Sequence, residues 1–168
     1  MRKLATMLVG SAAVFAATGV SAQGTTAAAS ASITIGTLLS VSVDQPSVTF
    51  PQPTFADYDA GEIAGSVTSA VSTRGNVSHD VTIAADAAQM TYSGTETPPA
   101  KPSTDLQWSN DGGASWFGLS TTAANVATAL PQGTNPTAAT VAYQILLDEA
   151  NDYPGTYSLN FTYTVVAN

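Results

Sequence analysis

Apolar and polar positions alternate along most of the chain beyond residue 30. Ile33, Ile35, Leu39, Val41 and Val43 fall on one face with Thr37, and Ser32, Thr34, Gly36, Ser40 and Ser42 on the other, interrupted only by Leu38. A period of two over this length predicts a long strand with one apolar face, ended by Pro46. Val48, Thr49 and Phe50 form a short predicted strand between Pro46, Pro51 and Pro53, and residues 51–61 read as a loop. Residues 63–73 alternate again, Arg74-Gly75-Asn76 is a turn signal, and Val77, His79, Val81 and Ile83 share a face of the next strand. Residues 95–103 hold three prolines and read as a loop. Residues 106–108 and 115–119 flank Asn110-Asp111-Gly112-Gly113, the pattern of a hairpin. Residues 137–147 alternate, and Asp152-Tyr153-Pro154-Gly155 carries the Pro-Gly centre of a type II turn. In the final strand Tyr157, Leu159, Phe161, Tyr163 and Val165 face one way, with Ser158, Asn160, Thr162 and Thr164 opposite. Residues 121–130 and 147–151 are expected to form a turn of helix at most. Eight or nine strands, closely spaced, predict an all-β chain folded as an antiparallel β-sandwich.

The first residues follow a different rule. Met1-Arg2-Lys3 is positively charged, residues 4–17 are apolar, and Val20-Ser21-Ala22 is a small-x-small cleavage pattern. A membrane-spanning helix needs ~20 apolar residues, and this run is shorter. Residues 1–22 therefore read as a cleaved signal peptide, residues 23–30 as a flexible tail, and residues 31–168 as a single β-sandwich domain. The expected destination is outside the cytoplasm: secreted, extracellular or on the cell surface, with the periplasm the other compartment such a signal reaches. No second hydrophobic segment follows, so the mature chain is not expected to span a membrane.

Composition narrows what such a domain does. Charged residues make up 10% of the chain, against ~25% in ordinary soluble domains. The chain instead carries 41 serines and threonines, many of them on the polar faces of the strands. Loss of Arg2 and Lys3 with the signal peptide would leave Arg74 and Lys101 against twelve acidic residues, a net charge of −10. Nucleic acid is excluded as a partner, because phosphate binding needs clustered Lys and Arg. There is no cysteine, hence no disulfide and no thiol chemistry. An exported chain without staples must fold on its core alone.

Few residues carry candidate chemistry. Ser109-x-Asp111-x-Gly113-x-Ser115-Trp116 resembles the Asp-box of sialidases and related β-propeller proteins. The resemblance spans one hairpin, in which Asp111 would accept backbone hydrogen bonds, Gly113 would take a positive φ and Trp116 would pack underneath. Sialidase chemistry also needs an arginine cluster, so the hairpin is carried over and the activity is not. Tyr92, Trp108 and Trp116 would form a glycan-stacking platform if exposed, or core and hairpin packing if buried. Asp57, Asp59 and Glu62 are weak calcium candidates; their spacing does not fit an EF-hand, and solvated loop charge is the simpler reading. The same applies to Asp148, Glu149 and Asp152. His79 beside Asp80 does not make a catalytic pair, since neighbouring strand residues point to opposite faces. No catalytic residue, resident metal or cofactor is assigned. Asn76-Val77-Ser78 and Asn160-Phe161-Thr162 are formal glycosylation sequons.

The order of the later half, from Trp108 through the Asp-Gly-Gly hairpin to Trp116, then an alternating strand, then Pro154-Gly155-Thr156-Tyr157 leading a Thr-rich final strand, resembles secreted bacterial immunoglobulin-like β-sandwich proteins of the surface-filament and pilin-like kind. The resemblance implies an immunoglobulin-like sandwich and a non-enzymatic role as subunit of an extracellular or cell-surface assembly: a filament, pilus or matrix. Its partners would be further copies of itself or other surface proteins. Residues 30–43 supply a physical route. They would pair with their own sheet or be donated to a neighbour's sheet edge, with Ile33, Ile35, Leu39, Val41 and Val43 inserted and Gly36 allowing close backbone approach. The alternative is a secreted glycan-binding module or adhesin that uses Tyr92, Trp108 and Trp116.

Overall fold

Ten strands, one short α-helix and a 3-10 turn at Ser103–Asp105 make up the computed structural model, which describes residues 30–168. The expected signal peptide, 1–22, and residues 23–29 of the expected tail lie outside the described residues. Two units are distinguished, Met1–Thr34 and Ile35–Asn168; of the first, residues 30–34 are described, as exposed irregular chain.

In the second unit a five-stranded antiparallel sheet runs in the order β1 (Leu39–Val43), β2 (Glu62–Gly75), β8 (Gly133–Leu146), β5 (Leu106–Ser109) and β6 (Phe117–Gly118). A three-stranded antiparallel sheet runs β10 (Phe161–Ala167), β3 (His79–Ala85), β7 (Ala124–Leu130). A small ribbon joins β4 (Thr91–Ser93) to β9 (Thr156–Ser158). The chain is all-β with a sandwich-like core. Val71 and Val141 from the larger sheet, Val81, Ile83 and Val126 from the smaller, and Leu106, Trp108 and Tyr143 form one buried cluster. Burial of each large apolar side chain contributes ~1.5–3 kcal/mol. Alternation explains the placement: along β3, His79, Val81, Ile83 and Ala85 are buried in strict turn. A second link crosses between the sheets, where the Tyr143 and Tyr163 hydroxyls meet at 2.5 Å. Burial pushes both phenols above their ordinary pKa, so both keep the proton that this bond uses.

Several expected elements differ. The long first strand begins only at Leu39. Its partner β2 ends at Gly75, which pairs with Leu39, and Asn76 takes over from there. The Asn76 side chain accepts from Leu38 N–H at 2.8 Å and donates to the Gly36 carbonyl at 2.7 Å. Upstream of that point none of the described strands pairs with the chain. Residues 48–50 form no ladder. The expected loop at 51–61 contains a helix, α1 (Phe55–Ala60), closed at its start by a capping box between Thr54 and Asp57 and at its end by Gly61 at φ 78°. The expected helical turn at 121–130 is instead β7, held by the second edge of β3. The last predicted strand is split into β9 and β10, although burial alternates through both.

Candidate assembly groove

The hairpin between β5 and β6 is organised around two side chains. The fully buried Ser109 hydroxyl donates to Asp111 Oδ1 at 2.6 Å and accepts from Gly113 N–H at 2.9 Å. Asp111 Oδ1 also accepts from Ser115 N–H at 3.0 Å. The Ser109 hydroxyl, followed by Ser115 N–H, holds the Asp111 carboxyl down to about 2. Gly112 and Gly113 take φ of 75° and 91°, a region closed to most side chains. Trp116 lies half-buried over Gly113 and Gly65, where a Cβ on Gly65 would stand 3.0 Å from its ring. These bonds are spent within the turn, which makes the motif a backbone clasp.

The three aromatics expected to stack on a glycan if exposed differ in exposure. Trp108 is 3% exposed and packs in the core against Phe117, so it offers no ring to a sugar. Tyr92 is half-buried in the ribbon, its ring above Gly94 and Gly155, its hydroxyl donating to the Pro154 carbonyl at 2.7 Å. Trp116 sits on the hairpin.

The calcium candidates do not converge either. Asp57 accepts from Thr54 N–H at 2.7 Å and from its hydroxyl at 2.6 Å, bonds that lower its pKa and commit it to the helix cap. Asp59 is on exposed helix and Glu62 begins β2. Among the described residues no group of three or more His, Asp or Glu is placed to hold a metal ion. Asp148 folds its own turn, accepting from Ala150 N–H and the Asn151 amide, which lower its pKa with the amide the larger cause. His79 is fully buried. Its Nδ1 donates to the Val77 carbonyl at 2.9 Å and its Nε2 bonds the Thr73 hydroxyl at 2.9 Å, so both ring nitrogens are used structurally.

Sequence reasoning passed over one cluster. Lys101 is 7% exposed, and its Nζ donates to Asp152 at 2.7 and 2.9 Å and to the Leu146 carbonyl at 2.9 Å. Asp105 stands 3.3 Å away on the same ammonium. The only available signal was that Lys101 is one of two basic residues beyond residue 22 and lies among prolines.

This clamp borders an open groove of about 1450 Å³. Val41 and Val43 of β1 line one part, Phe161 and Tyr163 of β10 another, with Met90, Leu106 and Ile145 also on its surface. Residues 46–53 run along it. Both bordering strands are sheet edges: β1 pairs only with β2, and β10 only with β3. Asn160 and Asn168 bond the β3 side through their main chain, so the period of two turns Phe161, Tyr163 and Val165 N–H toward the free edge. The groove is thus apolar and flanked by unpaired backbone, as strand addition requires.

The proposed donor segment is divided by the structure. Leu39, Val41 and Val43 pair with β2 of their own chain, and the two valines pack on its core; they are not free to be donated. Ile33 and Ile35 are 84% and 73% exposed, and Leu38 is 69% exposed. A Cβ on Gly36 would meet nothing within 4 Å, so Gly36 makes no close backbone approach here.

Comparison of the chain with family models and with curated proteins finds no match. Among the described residues no helix is long and apolar enough to cross a membrane.

Proposed function

We propose that this chain is a secreted, non-enzymatic structural subunit of an extracellular or cell-surface assembly, immunoglobulin-like in its sandwich, and that copies join by N-terminal strand donation. One observation carries this: an alternating segment whose isoleucines have no apolar cover, in a chain with an open apolar groove between two free strand edges. Ile33 and Ile35 of one copy enter the groove of the next, and the main chain of residues 30–35, upstream of the bonds to Asn76, pairs with an edge strand. The segment leaves β1 at the Gly75 end, whereas the groove is lined by Val41, Ser42 and Val43 at the other. Lengths agree: six extended residues span ~20 Å, and the seven of β10 ~23 Å. His79 supports the non-enzymatic part, since its ring is committed to Val77 and Thr73.

Light scattering coupled to size exclusion tests this on the mature chain. Wild type should elute as a series of oligomers, and Ile33→Asp/Ile35→Asp as monomer with unchanged circular dichroism. A wild type that remains monomeric at high concentration would refute strand donation.

A further inference from the structure

The residues beside the groove carry a second property. Residues 46–53 contain three prolines, which lack an N–H, and among the described backbone bonds none involves an N–H of this segment. They belong to no strand or helix. Yet Val48 and Phe50, two residues apart, pack half-buried against the core and line the groove. The segment therefore holds its place by side-chain contact, where a strand would hold it by a ladder as well.

We propose that residues 46–53 are a displaceable placeholder: Val48 and Phe50 cover core that Ile33 and Ile35 of a second copy come to cover, and the segment moves aside as the donated strand pairs with β10. Placeholder behaviour presupposes the strand donation proposed above. The exchange has a physical direction. The incoming segment matches the apolar side chains it replaces and adds main-chain hydrogen bonds to the free N–H groups of Phe161, Tyr163 and Val165, which the prolines of the strap cannot supply. The strap would still shield the groove in the isolated subunit, limiting the exposed apolar surface that drives unspecific association. Its anchors lie between β1 and α1, both fixed by their own bonds, so its ends stay in place while its middle moves.

Two measurements test this. Assembly of the mature chain, followed by light scattering, should proceed about tenfold faster in Val48→Ala/Phe50→Ala than in wild type, the factor corresponding to ~1.4 kcal/mol less strap packing. In a Phe50→Trp variant the added indole should shift its emission to the red as oligomers form, against the background of Trp108 and Trp116. If oligomers form with neither acceleration nor shift, the strap is a permanent part of the core and the placeholder is overturned while strand donation stands. If the double alanine variant fails to fold, the emission of Phe50→Trp decides alone. If wild type forms no oligomer, strand donation itself is overturned.

Discussion

Replacing Lys101 with methionine keeps most of the stem's volume and removes the charge. In the folded chain the ammonium serves Asp152 at 2.7 and 2.9 Å, the Leu146 carbonyl at 2.9 Å and Asp105 at 3.3 Å. Side-chain exposures of 6% for Lys101 and 8% for Asp152 place the pair inside the protein. A solvent-exposed pair would contribute ~0–1 kcal/mol. Removing one partner of a buried pair instead strands a charge, at a cost of ~3–5 kcal/mol. For a domain of this size that corresponds to a fall in melting temperature of ~10–20 °C. With a urea slope of ~2 kcal/mol per molar, the midpoint would drop by about 2 M. Urea unfolding followed by the fluorescence of Trp108 and Trp116 measures it. Lys101→Met/Asp152→Leu should recover most of the loss, because an apolar pair of similar volume needs no counter-charge. Recovery will fall short by ~1 kcal/mol, since Asp148 N–H loses the Asp152 oxygen it reaches at 2.9 Å. A single-variant loss under ~1 kcal/mol would refute a buried clamp, as would additivity of the two substitutions.

Three further outcomes follow from local geometry. The Ser109 hydroxyl and Ser115 N–H hold the Asp111 carboxyl down to about 2, below the ordinary carboxylate range, so its contribution is complete above about pH 4 and is lost as pH falls toward 2; a carboxyl NMR titration with an ordinary midpoint would contradict the hairpin bonds. Ala129 holds φ at 53°, where a Cβ is strained, so Ala129→Gly should raise stability by ~1 kcal/mol in chemical denaturation, and a loss would show the residue unstrained. A Cβ on Gly155 would collide with the Tyr92 ring, so Gly155→Ala should cost ~1–3 kcal/mol by calorimetry; an unchanged melting temperature would mean the ribbon is loose.

Much of the fold was legible because strand period and burial coincide. The alternation of β3 maps directly onto buried and half-buried positions, and that of residues 157–165 onto half-buried and exposed ones. The hairpin was legible for a different reason: its bonds join residues within four positions of each other. What escaped depends on distant partners. β7 is rich in alanine, and only the free edge of β3 makes it a strand. β1 stops at Leu39 because β2 stops at Gly75, which no local pattern in residues 30–43 records. Lys101 finds Asp152 51 positions away. The helix α1 was readable in principle, since Thr54, Asp57 and Gly61 stand at capping positions, but its proline-rich approach suggests a loop. The groove itself is a property of two sheet edges and had no signature along the chain.

Strand addition at β10 makes a claim about particular hydrogens. Phe161, Tyr163 and Val165 turn their N–H groups to an edge without a ladder partner, whereas the main chain of Asn160 and Asn168 is tied to the β3 side. Amide hydrogen exchange, resolved by residue on the monomeric Ile33→Asp/Ile35→Asp variant and on assembled wild type, tests the central claim most directly. The account predicts that these three amides exchange readily in the monomer and become strongly protected in the assembly, with the interior amides of β3 unchanged. Equal exchange of the three amides in both states would contradict it.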